Sequence, residues 1–220
     1  MTESLVIELP SLPDPPVALL ANKFATGRTT EVAGRVHAAV EAGIAWVHLR
    51  DHDAAPDVFA GAARTLVNRL RALRPSPTIT VNTQYATARS LRCGLHTGWR
   101  GPRPEAIPMP VARPLGYSAH HLLELPAPRR RAVDYVTYSP VFPTSSKPGH
   151  PGTGTAALRR FVEQVGVPVL ALGGITPERV AACREAGAHG VAVLSGIMQS
   201  DAPAVAAARY VEAWRTTTAP

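Results

Sequence analysis

Cysteine is nearly absent from this sequence: Cys93 and Cys183 lie far apart, with no CxxC pair and no metal-type spacing. That excludes a disulfide scaffold and argues against a zinc site, which needs closely spaced sulfur or imidazole ligands. Two free thiols fit a reducing compartment. Lysine is as rare, with Lys23 and Lys147 the only two, arginine standing in its place nearly everywhere. No run approaches the roughly 18 uninterrupted apolar residues of a membrane span, so no membrane partner is expected. The opening MTESLVIELPSLPDPP has acids and prolines where a secretory signal has a basic start and an apolar run, and a cytoplasmic location is expected. No low-complexity linker divides the 220 residues.

What is present suits one globular unit. The hydrophobic share of 45% and charged share of 18% are ordinary for a chain with a sizeable core. The net charge of +7 raises a nucleic-acid reading. Its distribution argues against one: the basic residues are spread through helical stretches, the only run is Arg129-Arg130-Arg131, and no arginine–aromatic interleaving occurs.

Short apolar runs read as buried strands at Val17–Asn22, Ala45–Asp51, Thr78–Thr83, Gly94–Thr97, Leu115–Ala119, Val133–Pro140, Pro168–Gly173 and Gly190–Ser195. Three-to-four residue apolar spacing predicts helices over Thr30–Ala42, Asp57–Leu73, Ala156–Val165, Pro177–Ala186 and Ala202–Trp214. Thr176-Pro177 reads as a helix start with a hydroxyl cap, and Gly43 and Gly187 as helix ends. The stretch GPRPEAIPMPVARP between Gly101 and Pro114 is expected to be loop, and Ser118–Pro128 makes a poor helix. Eight strands alternating with helices predict a single (β/α)₈ TIM barrel over residues 1–220, with 1–16 as an N-terminal extension. An open doubly wound sheet would want a glycine-rich turn after the first strand, and Ala21-Asn22-Lys23-Phe24 is not one.

In such a barrel the active site lies at the C-terminal strand ends, with phosphate favoured after strands seven and eight. Those loops carry Gly173-Gly174 and Ser195-Gly196, where backbone N–H groups can approach an anion closely. The Tyr138–Gly154 loop offers Thr144, Ser146 and Lys147, hydroxyls and an ammonium suited to a carboxylate or phosphate oxygen, in a segment that could close over substrate. His120, after Ser118 at the end of the fifth strand, is a candidate proton shuttle. Arg50 could hold an anion or pair with Asp51. His48 and His52 share a strand face without an evident third metal ligand, and Asn82 ends the third strand.

Together these loops resemble the thiamine phosphate synthase/TenI family. Thr144-Ser145-Ser146-Lys147 is similar to its T-x-T/S-K, Gly173-Gly174-Ile175 to its G-G-I, and Gly190–Ile197 to its G-x-A-V-x-S-x-I. Ser118-Ala119-His120 matches S-x-H. His48–His52 stands where the family has Q-x-R-E-K, and Asn82-Thr83 where it has N-D.

In the synthases the resemblance implies an aminopyrimidine diphosphate joined to a thiazole phosphate, with aspartate-held magnesium neutralising the leaving diphosphate. Here Thr83 replaces one aspartate, and His96–Gly101 holds no carboxylate where the second is expected. A threonine brings no charge to a magnesium site. The TenI-like tautomerase branch implies less: a proton shift that aromatises a carboxythiazole phosphate. For that branch His120 is the expected proton shuttle, Thr144, Ser146 and Lys147 the carboxylate site, and Gly173, Gly174, Ser195 and Gly196 the phosphate cradle. Arg50, His52, Asn82 and Ser118 are expected further substrate contacts. The expectation is therefore a metal-independent thiazole tautomerase without cofactor, whose partner is a small phosphorylated thiazole, homo-oligomer formation being open. The alternatives are a thiamine phosphate synthase, which would need magnesium, and a non-catalytic protein that binds thiazole phosphate.

Overall fold

The computed structural model describes residues 12–108 and 112–217. Strands β1 (Val17–Asn22), β2 (Trp46–Arg50), β3 (Thr78–Asn82), β4 (Gly94–Thr97), β5 (Ala112–Ala119), β6 (Tyr135–Tyr138), β7 (Val169–Leu172) and β8 (Gly190–Val193) follow one another in parallel. β8 pairs with β1, which closes the barrel. Outside lie α1 (Thr29–Glu41), α2 (Pro56–Arg71), α3 (Tyr85–Leu91), α4 (Ala127–Ala132), α5 (Thr155–Val165), α6 (Pro177–Glu185), α7 (Ser195–Met198) and α8 (Pro203–Thr216).

The pattern of side chains explains the layers. In α5, Leu158, Phe161 and Val165 recur at helical spacing and are buried against the strands, and Gly166 ends the helix at φ +69°. Along each strand alternate residues face opposite ways. One set joins the large core under the helices, while Ala18, Leu20, Trp46, Tyr135, Leu170 and Ala192 fill the barrel itself. Trp46 and Tyr135 meet edge to face with centroids 4.6 Å apart. Burying an apolar side chain of this kind contributes about 1.5–3 kcal/mol. A side chain at Gly116 would overlap the Tyr135 ring and His96, so glycine is what admits both rings to the interior.

The eight strands, five helices and the glycines at Gly43 (φ +105°) and Gly187 (φ +86°) follow the sequence pattern. Three details differ. Pro177 opens α6, but the Thr176 hydroxyl makes no capping hydrogen bond. β5 starts at Ala112, inside the proline-rich stretch, because pairing with β4 shifts register between Gly94 and Leu95 and reaches back to Ala112. The short helices α3 and α7 were hidden, since helices of one or two turns carry too little periodicity to be read. The 118–128 segment is irregular as expected, with one 3₁₀ turn at Leu122–Glu124 before α4. Met109, Pro110 and Val111 of the proline-rich loop and residues 1–11 of the extension lie outside the described residues.

Candidate functional site

Two adjoining cavities of about 210 Å³ and 140 Å³ open at the C-terminal strand ends and share Leu20, Arg50, Ser139, Lys147, Leu172 and Ala192. The smaller is lined by Thr144, Ser146, Lys147, Gly173, Gly174, Ser195 and Gly196. The larger is lined by Arg50, His52, Asn82, Ser118 and His120, with His48, His96, Trp99, Arg100 and Thr137. Every site residue expected from the sequence borders one of these two spaces.

The glycine pair after β7 has a steric reason as well as an electrostatic one. Gly173 and Gly174 adopt φ +98° and +62°, and a side chain at either would strike the loop after β6, at Pro140 and at Phe142–Pro143. That packing aims their donors. The Gly173 carbonyl accepts from Phe142 N–H at 3.0 Å, and the Gly174 carbonyl accepts from Arg179 Nη1 at 2.6 Å. Within a planar trans peptide the next N–H points opposite to the carbonyl. The N–H groups of Gly174 and Ile175 therefore point away from both partners. Across the cavity, Ser195 and Gly196 form the first turn of α7, where N–H groups have no partner inside the helix. Gly196 is required there because Tyr210, whose hydroxyl donates to the Ile175 carbonyl at 2.9 Å, occupies the place of a side chain. The backbone of Gly174, Ile175, Ser195 and Gly196 thus borders one small space, an arrangement that suits a phosphate.

His120 lies just past β5. Its Nδ1 is 2.6 Å from the Ser139 carbonyl, which can only accept, so Nδ1 carries the proton. Nε2 then offers its lone pair, and Lys147 Nζ donates to it across 3.5 Å. Burial lowers the Lys147 ammonium below its usual range.

Beneath the mouth is a polar layer. His96 Nε2 is 2.8 Å from Ser118 Oγ and Nδ1 is 2.8 Å from Tyr135 OH. His48 Nδ1 is 3.0 Å from Thr80 Oγ1, which also accepts from Trp46 Nε1 at 3.1 Å. Burial, then the Arg50 charge, holds His96 down to about 3. Burial above all, with the Arg50 guanidinium also acting, drives His48 well below the usual histidine range. Both imidazoles are neutral.

Arg50 donates to Asn22 Oδ1 at 3.2 Å instead of pairing with Asp51. Asp51 is occupied by the N–H groups of Ala25 (3.0 Å), Thr26 (2.9 Å) and Asp53 (3.2 Å), which fixes the loop after β1. β2 ends at Arg50, so His52 lies beyond the strand and is exposed while His48 is buried. Lys23, the other lysine, pairs with Asp53 at 3.6 Å on the surface.

Magnesium does not fit this donor set. Among the described residues that line the two cavities there is no carboxylate. Thr83 Oγ1 turns back to donate to the Asn82 carbonyl at 2.8 Å, and guanidinium groups share the space. A hard dication wants several oxygens, carboxylates among them, and is repelled by Arg50 and Arg100.

Residues 20–197 match the family model described as thiamine monophosphate synthase. The chain belongs to the thiamine monophosphate synthase family. A thiamine-phosphate synthase of Syntrophomonas wolfei is 33% identical over 172 residues, 74% of this chain and 79% of that protein. One of Caldivirga maquilingensis is 38% identical over 100 residues, which span 46% of this chain and about half, 49%, of the relative. In structure the chain is similar to a thiamine phosphate pyrophosphorylase of Pyrococcus furiosus, with TM-score 0.78 and 22% identity over 91% of this chain and 96% of that one. At that identity the likeness speaks for the barrel alone.

Sequence reasoning missed His96, Tyr135, Thr137, Trp99 and Arg100. The signal was period-two alternation at strand ends: Trp46-x-His48-x-Arg50, Gly116-x-Ser118-x-His120 and Tyr135-x-Thr137-x-Ser139 all point inward together.

Proposed function

We propose that this family member is a thiazole tautomerase that aromatises a carboxythiazole phosphate by metal-independent proton transfer, without a cofactor and in the cytoplasm. The observation that carries the reading is a site walled by Arg50, Arg100 and Lys147, with no carboxylate among the described lining residues, around a histidine whose Nε2 faces only a long 3.5 Å contact from Lys147 while Nδ1 is held by a carbonyl. The phosphate would occupy the four backbone donors at Gly174, Ile175, Ser195 and Gly196. The carboxylate would meet Thr144, Ser146 and Lys147. The ring would lie over Leu20, Leu172 and Ala192, beside His120. Nε2 takes a proton from one ring position, the carboxylate-bound Lys147 and Arg50 hold the resulting anion, and the imidazolium returns the proton at another position. Atoms and charge balance without a co-reactant.

The names of the relatives favour a second reading, a thiamine-phosphate synthase. Diphosphate departure would then rest on Arg50, Arg100 and Lys147 instead of on magnesium. Incubation with an aminopyrimidine diphosphate and thiazole phosphate, with and without magnesium, separates the two: the tautomerase reading expects no thiamine phosphate in either tube, and its formation would support the synthase.

A further inference from the structure

Of the three tryptophans, Trp46 and Trp214 are buried at 0% and 7% exposure, while Trp99 is 74% exposed. Yet Trp99 does not stand on the outer wall: it lines the mouth of the larger cavity. It sits in a four-residue turn after β4, closed by the Gly101 N–H donating to the Gly98 carbonyl at 2.9 Å. Both feet of this turn pack against neighbouring side chains, the Gly101 foot more tightly. A Cβ on Gly98 would lie 3.5 Å from Ser118 Cβ, and one on Gly101 would lie 3.0 Å from Thr83 Cγ2. The Arg100 guanidinium covers one face of the indole, 4.7 Å from the ring centroid.

In the closed strand order β4 stands across the barrel from β8, whose end begins the phosphate cradle. On the β8 side, the neighbouring strands β7, β8 and β1 supply the apolar side chains Leu172, Ala192 and Leu20, which line the same larger cavity as Trp99. The smaller cavity opens into the larger one past Leu20, Leu172 and Ala192, so a ligand anchored by its phosphate at the cradle would project its ring into the space whose mouth Trp99 lines. A flat ring in that cavity is bordered by aliphatic side chains on the β7–β8–β1 side and by the indole at the mouth, and offset stacking of two π-systems is favourable beyond simple area burial.

We propose that Trp99, backed by Arg100, is the stacking cover of the site and sets a preference for planar aromatic rings over saturated ones in phosphate-bearing ligands. This rests on the reading of the site as one for a ring-bearing phosphate, but not on the reaction it carries out. It gives a function to the side chain that the proton-transfer steps leave idle.

Binding of phenyl phosphate and cyclohexyl phosphate, measured by calorimetry, isolates ring planarity from size and charge. The wild-type protein is expected to bind the phenyl ester about five- to tenfold more tightly. Trp99→Leu is expected to bind cyclohexyl phosphate like the wild type and to lose the preference, with Trp99→Phe retaining part of it. Because the side chain is exposed, the urea midpoint should not move in either variant. Indole emission should change with phenyl phosphate and stay constant with inorganic phosphate, and the change should vanish in Trp99→Leu. Equal binding of the two esters to the wild type, no binding of either, or a preference that survives in Trp99→Leu would overturn the proposal. Thiazole aromatisation, assayed separately, can succeed or fail independently of this preference, which keeps the two proposals distinguishable.

Discussion

The Nδ1 of His120 lies 2.6 Å from the carbonyl oxygen of Ser139, a contact that joins the end of β5 to the segment just past β6. A carbonyl on one ring nitrogen fixes which nitrogen holds the proton, and here it leaves Nε2 facing the cavity. The neutral imidazole is therefore expected as the Nδ1–H tautomer. Nitrogen-15 NMR of labelled protein checks this directly, and an Nε2–H signal for His120 would contradict the geometry.

Lys147 is expected to select for the carboxylate. Lys147→Gln should weaken binding of a carboxylated thiazole phosphate by about 10- to 100-fold, the range of a lost charge-assisted hydrogen bond. Binding of the uncarboxylated thiazole phosphate should change far less. Calorimetry on both ligands gives the ratio, and equal losses would place Lys147 at the phosphate instead.

The cradle makes a prediction in which two glycines with similar backbone angles behave differently. Gly174 (φ +62°) is hemmed in by the loop after β6, whereas Gly166 (φ +69°) has open space around it. Gly174→Ala should displace the loop and lower inorganic phosphate affinity by roughly tenfold or more, through overpacking of about 1–3 kcal/mol. Gly166→Ala should cost about 1 kcal/mol of stability and leave phosphate binding intact. Equilibrium dialysis with phosphate, alongside urea melts, separates the two effects.

Neutral His96 and His48 make stability depend on pH. Their folded values lie below the ordinary 6.5, with His96 at about 3. Between those limits the unfolded chain binds protons that the folded chain refuses, so stability is full above about pH 6.5 and falls as pH drops toward 3. Each histidine contributes a slope of about 1.4 kcal/mol per pH unit. Urea midpoints measured at pH 7 and pH 5 should show the fall, and His96→Gln should make it shallower.

Much of this was legible in the residues, and the parts that were not have physical reasons. The strands were readable because parallel barrel strands are buried on both sides and run as short apolar stretches bounded by glycine, as at Gly94–Thr97 and Gly190–Val193. The glycine-containing turns that border the smaller cavity were readable because they fell at successive strand ends. The buried histidine layer was harder to see, since His96 lies inside a strand and looks like any packed polar residue until register sets it beside Asn82 and Gly116. The partner of Arg50 was undecidable from sequence: Asp51 is its chain neighbour, yet on a strand neighbours face opposite ways, and Asp51 turns to Ala25 and Thr26 instead. Trp99 reads as an ordinary loop residue without the knowledge that β4 ends across from the cradle.

The most direct test of proton transfer by His120 is the rate of thiazole aromatisation in the presence of a metal chelator. The non-aromatic carboxythiazole phosphate tautomer is mixed with wild-type protein and with His120→Asn, and the aromatic product is followed by its absorbance. The wild type is expected to accelerate the reaction fully with chelator present. His120→Asn should lose about 10²- to 10⁴-fold in rate while still binding the uncarboxylated thiazole phosphate. No acceleration by the wild type, or equal rates for the two proteins, would contradict the assignment of His120 as the proton shuttle.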